Sequence, residues 1–177
     1  IVESSDYESS VKGFMGGVKK LFFTRINKAY CSGKPHERLV RKLGFKEKVI
    51  ITKGVGVFNY HDQTPFVERK EVKNFLYVGR LVEVKNLKYL VQKFNKHPEL
   101  NLHIIGFGEL EEELKAMSNA NIVFHGPVDN VKLSAYYQTL DVFILPSIAE
   151  TWGLVVEEAL NNGMPVMVSD RVGCHDD

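Results

Sequence analysis

Between residues 75 and 168, short runs of strand-forming residues alternate with stretches of helical period, and few folds accommodate that alternation. The runs are Phe75-Leu76-Tyr77-Val78, Leu102-His103-Ile104-Ile105, Ile122-Val123-Phe124, Val142-Phe143-Ile144-Leu145 and Pro165-Val166-Met167-Val168. Apolar residues on successive positions suit strands buried on both faces, as in a parallel sheet. The stretches 86–96, 109–118, 130–139 and 153–162 between them read as helices. Punctuation falls where it should. Gly106 and Gly108 end one strand, Asp129-Asn130 offers a cap to the next helix, and Gly163 with Pro165 closes the last one. Repeated β–α units of this length predict a doubly wound, Rossmann-like α/β sheet.

The front of the chain differs. Residues 11–27 have a helical pattern, 29–32 a strand, 35–43 a helix with Pro35 in its first turn and Gly44 after its end, and 49–51 another strand. Polar residues with Gly54, Gly56 and Pro65 then follow without a period. We therefore expect the tail of one α/β domain at 1–54, a linker at 55–72 and a second domain at 73–177.

Composition excludes several classes. The chain is 44% hydrophobic and 25% charged, as in ordinary globular proteins. It has no apolar run of ~18 residues and no leader of charged-then-apolar type at its start. Cys31 and Cys174 stand far apart without metal-type spacing, which argues against a disulfide framework or a zinc site and fits a cytoplasmic location. Residues 1–60 carry a balance of +7 and residues 61–177 one of −6. The basic front is either a solvated helix surface or a face for an anionic lipid or phosphate. With a net charge of +1 and no basic–aromatic stripe, nucleic acid is not an expected partner.

Open α/β sheets bind ligands beyond the carboxyl ends of their strands, so three strand ends compete. Gly106-Phe107-Gly108 begins like a dinucleotide fingerprint, but Glu111 replaces its third glycine. Glu109, Glu111, Glu112 and Glu113 would also repel a pyrophosphate there. The stretch Gly79-Arg80-Leu81-Val82-Glu83-Val84-Lys85 brackets a loop with two cations that could neutralise a diphosphate. After Leu145-Pro146-Ser147, a loop carrying Glu150 leads through Gly153 into a helix start, an anion-binding element. On that helix, Leu154, Val155, Val156, Ala159 and Leu160 form an apolar arc, and Glu158 falls inside it. A carboxylate there needs a partner. A ligand diol, a backbone group or an arginine would each serve.

These segments, taken in order over 74–174, resemble the family 4 (group 1) retaining glycosyltransferases of the GT-B fold. Glu150-x7-Glu158 is similar to that family's paired-glutamate signature, and Gly79-Arg80-Leu81 with Lys85-Asn86 to its basic loop. His125-Gly126-Pro127-Val128, Leu145-Pro146-Ser147, Gly163-Met164-Pro165-Val166 and Ser169-Asp170-Arg171-Val172-Gly173 match in the same order.

The resemblance implies transfer of a sugar from a UDP- or GDP-linked donor to a glycan or lipid-linked acceptor, with retention and usually without a metal or other cofactor. It implies that Arg80 and Lys85 hold the donor phosphates, that Glu158 binds the ribose, and that Glu150 acts at the reacting sugar. Gly153 and Leu154 would touch the distal phosphate, and Val128 would border the base. Thr151-Trp152 replaces the family's usual small-residue–aromatic pair, a change in the sugar pocket. Lys53-Gly54 stands where an Asn-Gly turn is frequent.

The chain opens without Met and stops at Asp177, before the closing helix implied by the resemblance. Donor binding without efficient transfer is therefore expected of this polypeptide. Two alternatives remain open: another GT-B enzyme such as an epimerase or phosphorylase, and a non-catalytic module. Such a module would dock its basic front, with Phe14, Phe22 and Phe23 beside Lys19, Lys20 and Arg25, on an anionic membrane or a partner.

Overall fold

The computed structural model describes residues 11–52, 68 and 70–176. The expected linker falls almost wholly outside them. The chain divides into two compact units. One comprises Ile1–Gly56 with Ala149–Gly153 and Asp170–Asp177, the other Val57–Ile148 with Leu154–Ser169.

In the first unit, α1 (Gly13–Phe23) precedes β1 (Lys28–Cys31), α2 (Lys34–Lys42) and β2 (Lys48–Ile51). The two strands pair in parallel, Lys28 opposite Lys48 through Cys31 opposite Ile51. Ala29, Cys31, Val40 and Phe45 form the core, and Phe23, Ile26 and Val49 pack on it. Helix α2 starts with Pro35 in its first turn, where no backbone donor is needed, and ends before Gly44 at φ 88°. Helix α1 buries only Gly16; Phe14, Met15, Val18, Leu21 and Phe22 all stand exposed.

The second unit is a parallel sheet in the order β5-β4-β3-β6-β7. Its strands are β3 (Asn74–Val78), β4 (Asn101–Ile105), β5 (Ile122–Gly126), β6 (Val142–Leu145) and β7 (Val166–Val168). Helices α3 (Leu87–Phe94), α4 (Glu111–Met117), α5 (Asn130–Thr139) and α6 (Leu154–Asn161) alternate with them, and a 3-10 turn spans Glu83–Lys85. β3 and β6 are buried almost throughout, which explains their unbroken apolar sequence. The chain works outward from β3 through β4 to β5, then returns to the other side of β3 for β6. That reversal puts the topological switch point at the carboxyl ends of β3 and β6.

The two ends of this sheet are built differently. At the amino end, Asp141 accepts the backbone N–H of Lys73 at 3.0 Å and of Asn74 at 2.8 Å. It also accepts the Asn74 side-chain amide at 3.0 Å, and the Asn101 amide reaches Asn74 Oδ1 at 3.0 Å. At the carboxyl end the loops after β3 and β4 interlock through backbone alone. Gly79 N–H donates to Ile105 O at 3.0 Å, Leu81 N–H to Phe107 O at 2.9 Å, and Leu110 N–H to Leu81 O at 3.1 Å. A Cβ on Gly106, at φ 137°, would lie 1.9 Å from Gly79 O, and one on Gly108 would lie 2.4 Å from Leu81 O. The Gly-x-Gly pair is therefore a site of backbone approach. The acids after it are engaged in surface ion pairs, Lys115 with Glu111 at 2.7 Å and Lys88 with Glu113 at 3.0 Å.

Two local expectations change. Asp129 occupies the N-cap of α5, but its carboxylate makes no capping hydrogen bond; its backbone carbonyl accepts Lys132 N–H at 2.8 Å instead. On α6 the packed residues are Val156 and Ala159, continued by Asn162 just past its end, while Leu154 and Leu160 are 39% and 55% exposed. The inward direction is narrower than the hydrophobic pattern because one of its members is polar. Asn162 is accepted inside since Ser134 Oγ donates to its Oδ1 at 2.7 Å and its amide donates to Glu158 O at 2.9 Å.

Across β4 and β5, His103 Nδ1 and His125 Nε2 lie 3.0 Å apart. Their rings are 15° from coplanar with centroids 5.2 Å apart. Nitrogens that close between rings that far apart face each other edge to edge, so one donates and the other accepts. Burial, followed for His103 by the charge of His125, holds both imidazoles below the ordinary histidine range.

Two measurements check this description. Gly106→Ala should cost about 3 kcal/mol or more in urea unfolding, since its left-handed backbone and the blocked Cβ position add. Gly126→Ala, at φ 67° with nothing within 4 Å, should cost about 1 kcal/mol. Lowered histidine values mean that the unfolded chain takes up protons first as pH falls. The pair's contribution is thus complete above the ordinary histidine range and is lost as pH drops through it. The stability difference between the parent and a His103→Gln, His125→Gln double variant should shrink from pH 7.5 to pH 5; a difference independent of pH would refute the lowered titration of the buried pair.

Candidate functional site

At the switch point, the segment after β3 and the segment after β6 are joined. Ile148 N–H donates to Val84 O at 2.9 Å, and the Asn86 amide donates to Pro146 O at 3.3 Å. Asn86 adopts the left-handed conformation at φ 59°, the one non-glycine among the described residues to do so, and it links the 3-10 turn to α3. Lys85 is the last residue of that turn. The cationic loop and the Pro146-Ser147 loop therefore share one edge of the sheet. Ser169 reinforces it through its hydroxyl, which donates to Ser147 O at 2.5 Å.

Beside this edge, a hollow of about 220 Å³ opens beyond the carboxyl ends of β3, β4 and β5. Gly79 and Arg80 line one wall, Gly106 and Phe107 a second, and Pro127, Val128 and Leu133 a third. Arg80 is exposed at its rim. Phe107 is 63% exposed although it is a large aromatic residue. The interlocked glycines on either side fix its backbone. Sequence reasoning passed over Phe107, because the glycines flanking it drew attention to a phosphate motif.

Glu158 is half-buried on α6. Tyr137 of α5 donates its hydroxyl to Glu158 Oε2 at 3.3 Å. Burial raises the carboxyl above the ordinary range, and the tyrosine hydrogen bond opposes that rise. Its arc position did signal a need for a partner. The protein supplies one hydrogen bond, through a residue 21 positions away that no local pattern could identify.

Glu150, Thr151, Trp152 and Gly153 belong to the first unit, where residues 171–174 clamp them. Glu150 bridges in parallel to Val172. Its N–H donates to Arg171 O at 3.1 Å, Gly173 N–H donates back to Glu150 O at 3.0 Å, and Cys174 N–H to Trp152 O at 3.0 Å. A Cβ on Gly173 would lie 1.9 Å from Thr151 O, so glycine is required for the clamp. Trp152 is buried with its ring 5.8 Å from that of His36, in the first turn of α2. Gly153, at φ 98°, turns the chain toward Leu154, the first residue of α6. Among the described residues, no group of three His, Cys, Asp or Glu side chains could hold a metal ion, and no helix is long and apolar enough to cross a membrane.

The comparisons with known proteins bear on the family and the fold. Residues 57–177 match the family model of the group 1 glycosyl transferases. The chain is 32% identical over 173 residues to the O-antigen biosynthesis glycosyltransferase WbnH of Escherichia coli, covering 91% of this chain and 49% of that protein. Among solved structures, the lipopolysaccharide outer core galactosyltransferase WaaB superposes with a TM-score of 0.70 at 22% identity, over 84% of this chain and 44% of the other. TarM of S. aureus, solved with UDP, superposes with a TM-score of 0.67 at 16% identity, over 96% and 35%. The chain spans a fifth to a half of the curated relatives it matches. Its α/β architecture is that of the GT-B glycosyltransferases, and by the family match the chain belongs to the group 1 glycosyl transferases.

Proposed function

We propose that residues 73–177 supply the donor site of an enzyme that transfers a sugar from a nucleotide-sugar to a glycan or lipid-linked acceptor with retention of configuration. Residues 1–54 would be the tail of its acceptor domain. One observation carries this reading: a cationic side chain, an exposed aromatic ring and the Val128 loop converge on one hollow beyond the carboxyl ends of β3, β4 and β5, beside the switch point of the parallel sheet.

The chemistry asks for this arrangement. Departure of a nucleoside diphosphate builds negative charge, and fixed cations stabilise that charge without reorganisation. Arg80 supplies a planar fork of donors and Lys85 a point charge for the two phosphates. Phe107 and Pro127 offer apolar surface to a base, with Val128 at its border. An ionised Glu158 accepts hydrogen bonds from the ribose hydroxyls. Glu150 is assigned to the transferred sugar, Thr151 and Trp152 to its pocket, and the N–H groups of Gly153 and Leu154 to the distal phosphate. The donor is UDP- or GDP-linked, and the enzyme works in the cytoplasm.

The exposed face of α1 permits a second reading, peripheral contact with an anionic membrane. Its five exposed apolar residues lie beside Lys19 and Lys20. We assign this face to the acceptor domain. A two-stranded parallel sheet is too small to stand alone, and parallel sheets are covered on both faces.

Thermal unfolding of the chain with UDP, GDP or ADP tests the donor reading. A nucleotide at 100 times its dissociation constant should stabilise by about 2.7 kcal/mol. Arg80→Ala and Glu158→Ala should each abolish the shift, and Phe107→Ala should weaken binding by about 1 kcal/mol. Parent-like shifts in both charge variants would mean that the site lies elsewhere. In a separate check, vesicles with and without anionic lipid should pellet equally little of the chain; capture by the anionic vesicles alone would favour the membrane reading.

A further inference from the structure

Glu158 has to meet two demands at once if it receives a ribose. It must stay ionised in a half-buried position, and it must present one oxygen outward while the helix carrying it packs on the sheet. The contacts between α5 and α6 address both. Tyr137 is 1% exposed, and its ring tilts against Phe143 of β6 at 6.2 Å. Its hydroxyl donates to Glu158 Oε2 at 3.3 Å. Just past the end of α6, Asn162 donates to the Glu158 carbonyl at 2.9 Å and receives Ser134 Oγ at 2.7 Å and the Gln138 amide at 3.4 Å. Main chain and side chain of Glu158 are thus both tied, directly or through Asn162, to one face of α5.

We infer that Tyr137 is a positioning residue of the donor site: its hydroxyl holds one oxygen of Glu158 and leaves the other for a ligand diol. This rests on the assignment of Glu158 to the ribose. Tyrosine suits the task because it never surrenders its proton here. Burial first, and then the charge of Glu158, raise the phenol far above its ordinary range. The hydroxyl is therefore a permanent donor, and a donor to the ionised carboxylate favours that form.

The surroundings contain little else that could do this. Besides Tyr137, α5 carries Lys132 and Tyr136. The helix of Glu158 itself adds Glu157, and β6 and β7 present no ionisable side chain. Among the described residues, Tyr137 is the one ionisable side chain shown to act on the carboxyl.

Tyr137→Phe keeps the ring and removes the donor. The Glu158 side-chain carboxyl, followed by carbon-13 NMR in the unliganded chain, should then titrate about one pH unit higher than in the parent. Affinity for UDP, GDP or ADP, whichever binds the parent, should weaken several-fold on the acid side of that titration and recover above it, with the midpoint moving by the same amount. A purely structural tyrosine would alter stability without moving the titration. Unchanged carboxyl titration in Tyr137→Phe overturns the inference and leaves the donor reading intact. Parent-like nucleotide affinity in Glu158→Gln, or no nucleotide binding by the parent, overturns the donor reading and with it the role of the contact.

Discussion

The reversal of strand order at β3 is the constraint on which the rest of the second unit depends. A strand flanked by β4 on one side and β6 on the other must release its following loop where two neighbouring crossovers part. The place where ligands enter such a sheet is a property of the topology and precedes any choice of side chain; the hollow lies beside it, beyond β3, β4 and β5. What the sequence adds is the difference between the two ends of the sheet. Asp141 and the asparagines at 74 and 101 close the amino end with side-chain hydrogen bonds. At the carboxyl end the loops after β3 and β4 hold one another by backbone, and this leaves side chains such as Arg80 and Phe107 to face the hollow.

Glycine makes that division possible. With any side chain at 106 or 108, the loops after β3 and β4 could not approach closely enough for their backbones to bond. The same logic recurs in the first unit, where Gly173 lets residues 171–174 grip the Glu150 segment from its backbone. In both places precision comes from main-chain contact, which holds a loop without consuming the side chains a ligand needs. The stretch Ser169-Asp170-Arg171-Val172-Gly173 thereby acquires a structural meaning that its charged residues would not suggest.

The strands and helices of the second unit were legible because each buried strand writes itself as an unbroken apolar run and each turn carries its own glycine or proline. The paired glutamates and the Gly79-Arg80 loop were legible as short segments with a fixed order. Pairings between distant positions left no such trace. Nothing near Glu158 in the sequence points to Tyr137, which sits beside a second tyrosine of different exposure. The apolar arc of α6 overstated its packed stripe, since Asn162 does inside what a leucine was expected to do. The α1 face is apolar in sequence yet exposed in the structure, because the pattern records only that a surface is to be covered and not what covers it.

The choice of tyrosine as the partner of Glu158 has a consequence for recognition. An arginine or lysine in that place would satisfy the carboxylate more strongly, but it would also neutralise it and compete with any hydroxyl for the same oxygens. A phenol donates once and leaves the charge intact. Asn162 meanwhile fixes the main chain of the same residue through an amide, again without charge. The cations Arg80 and Lys85 lie on a different segment, after β3. The two kinds of charge thus stand on separate elements, and the carboxylate is held by neutral partners.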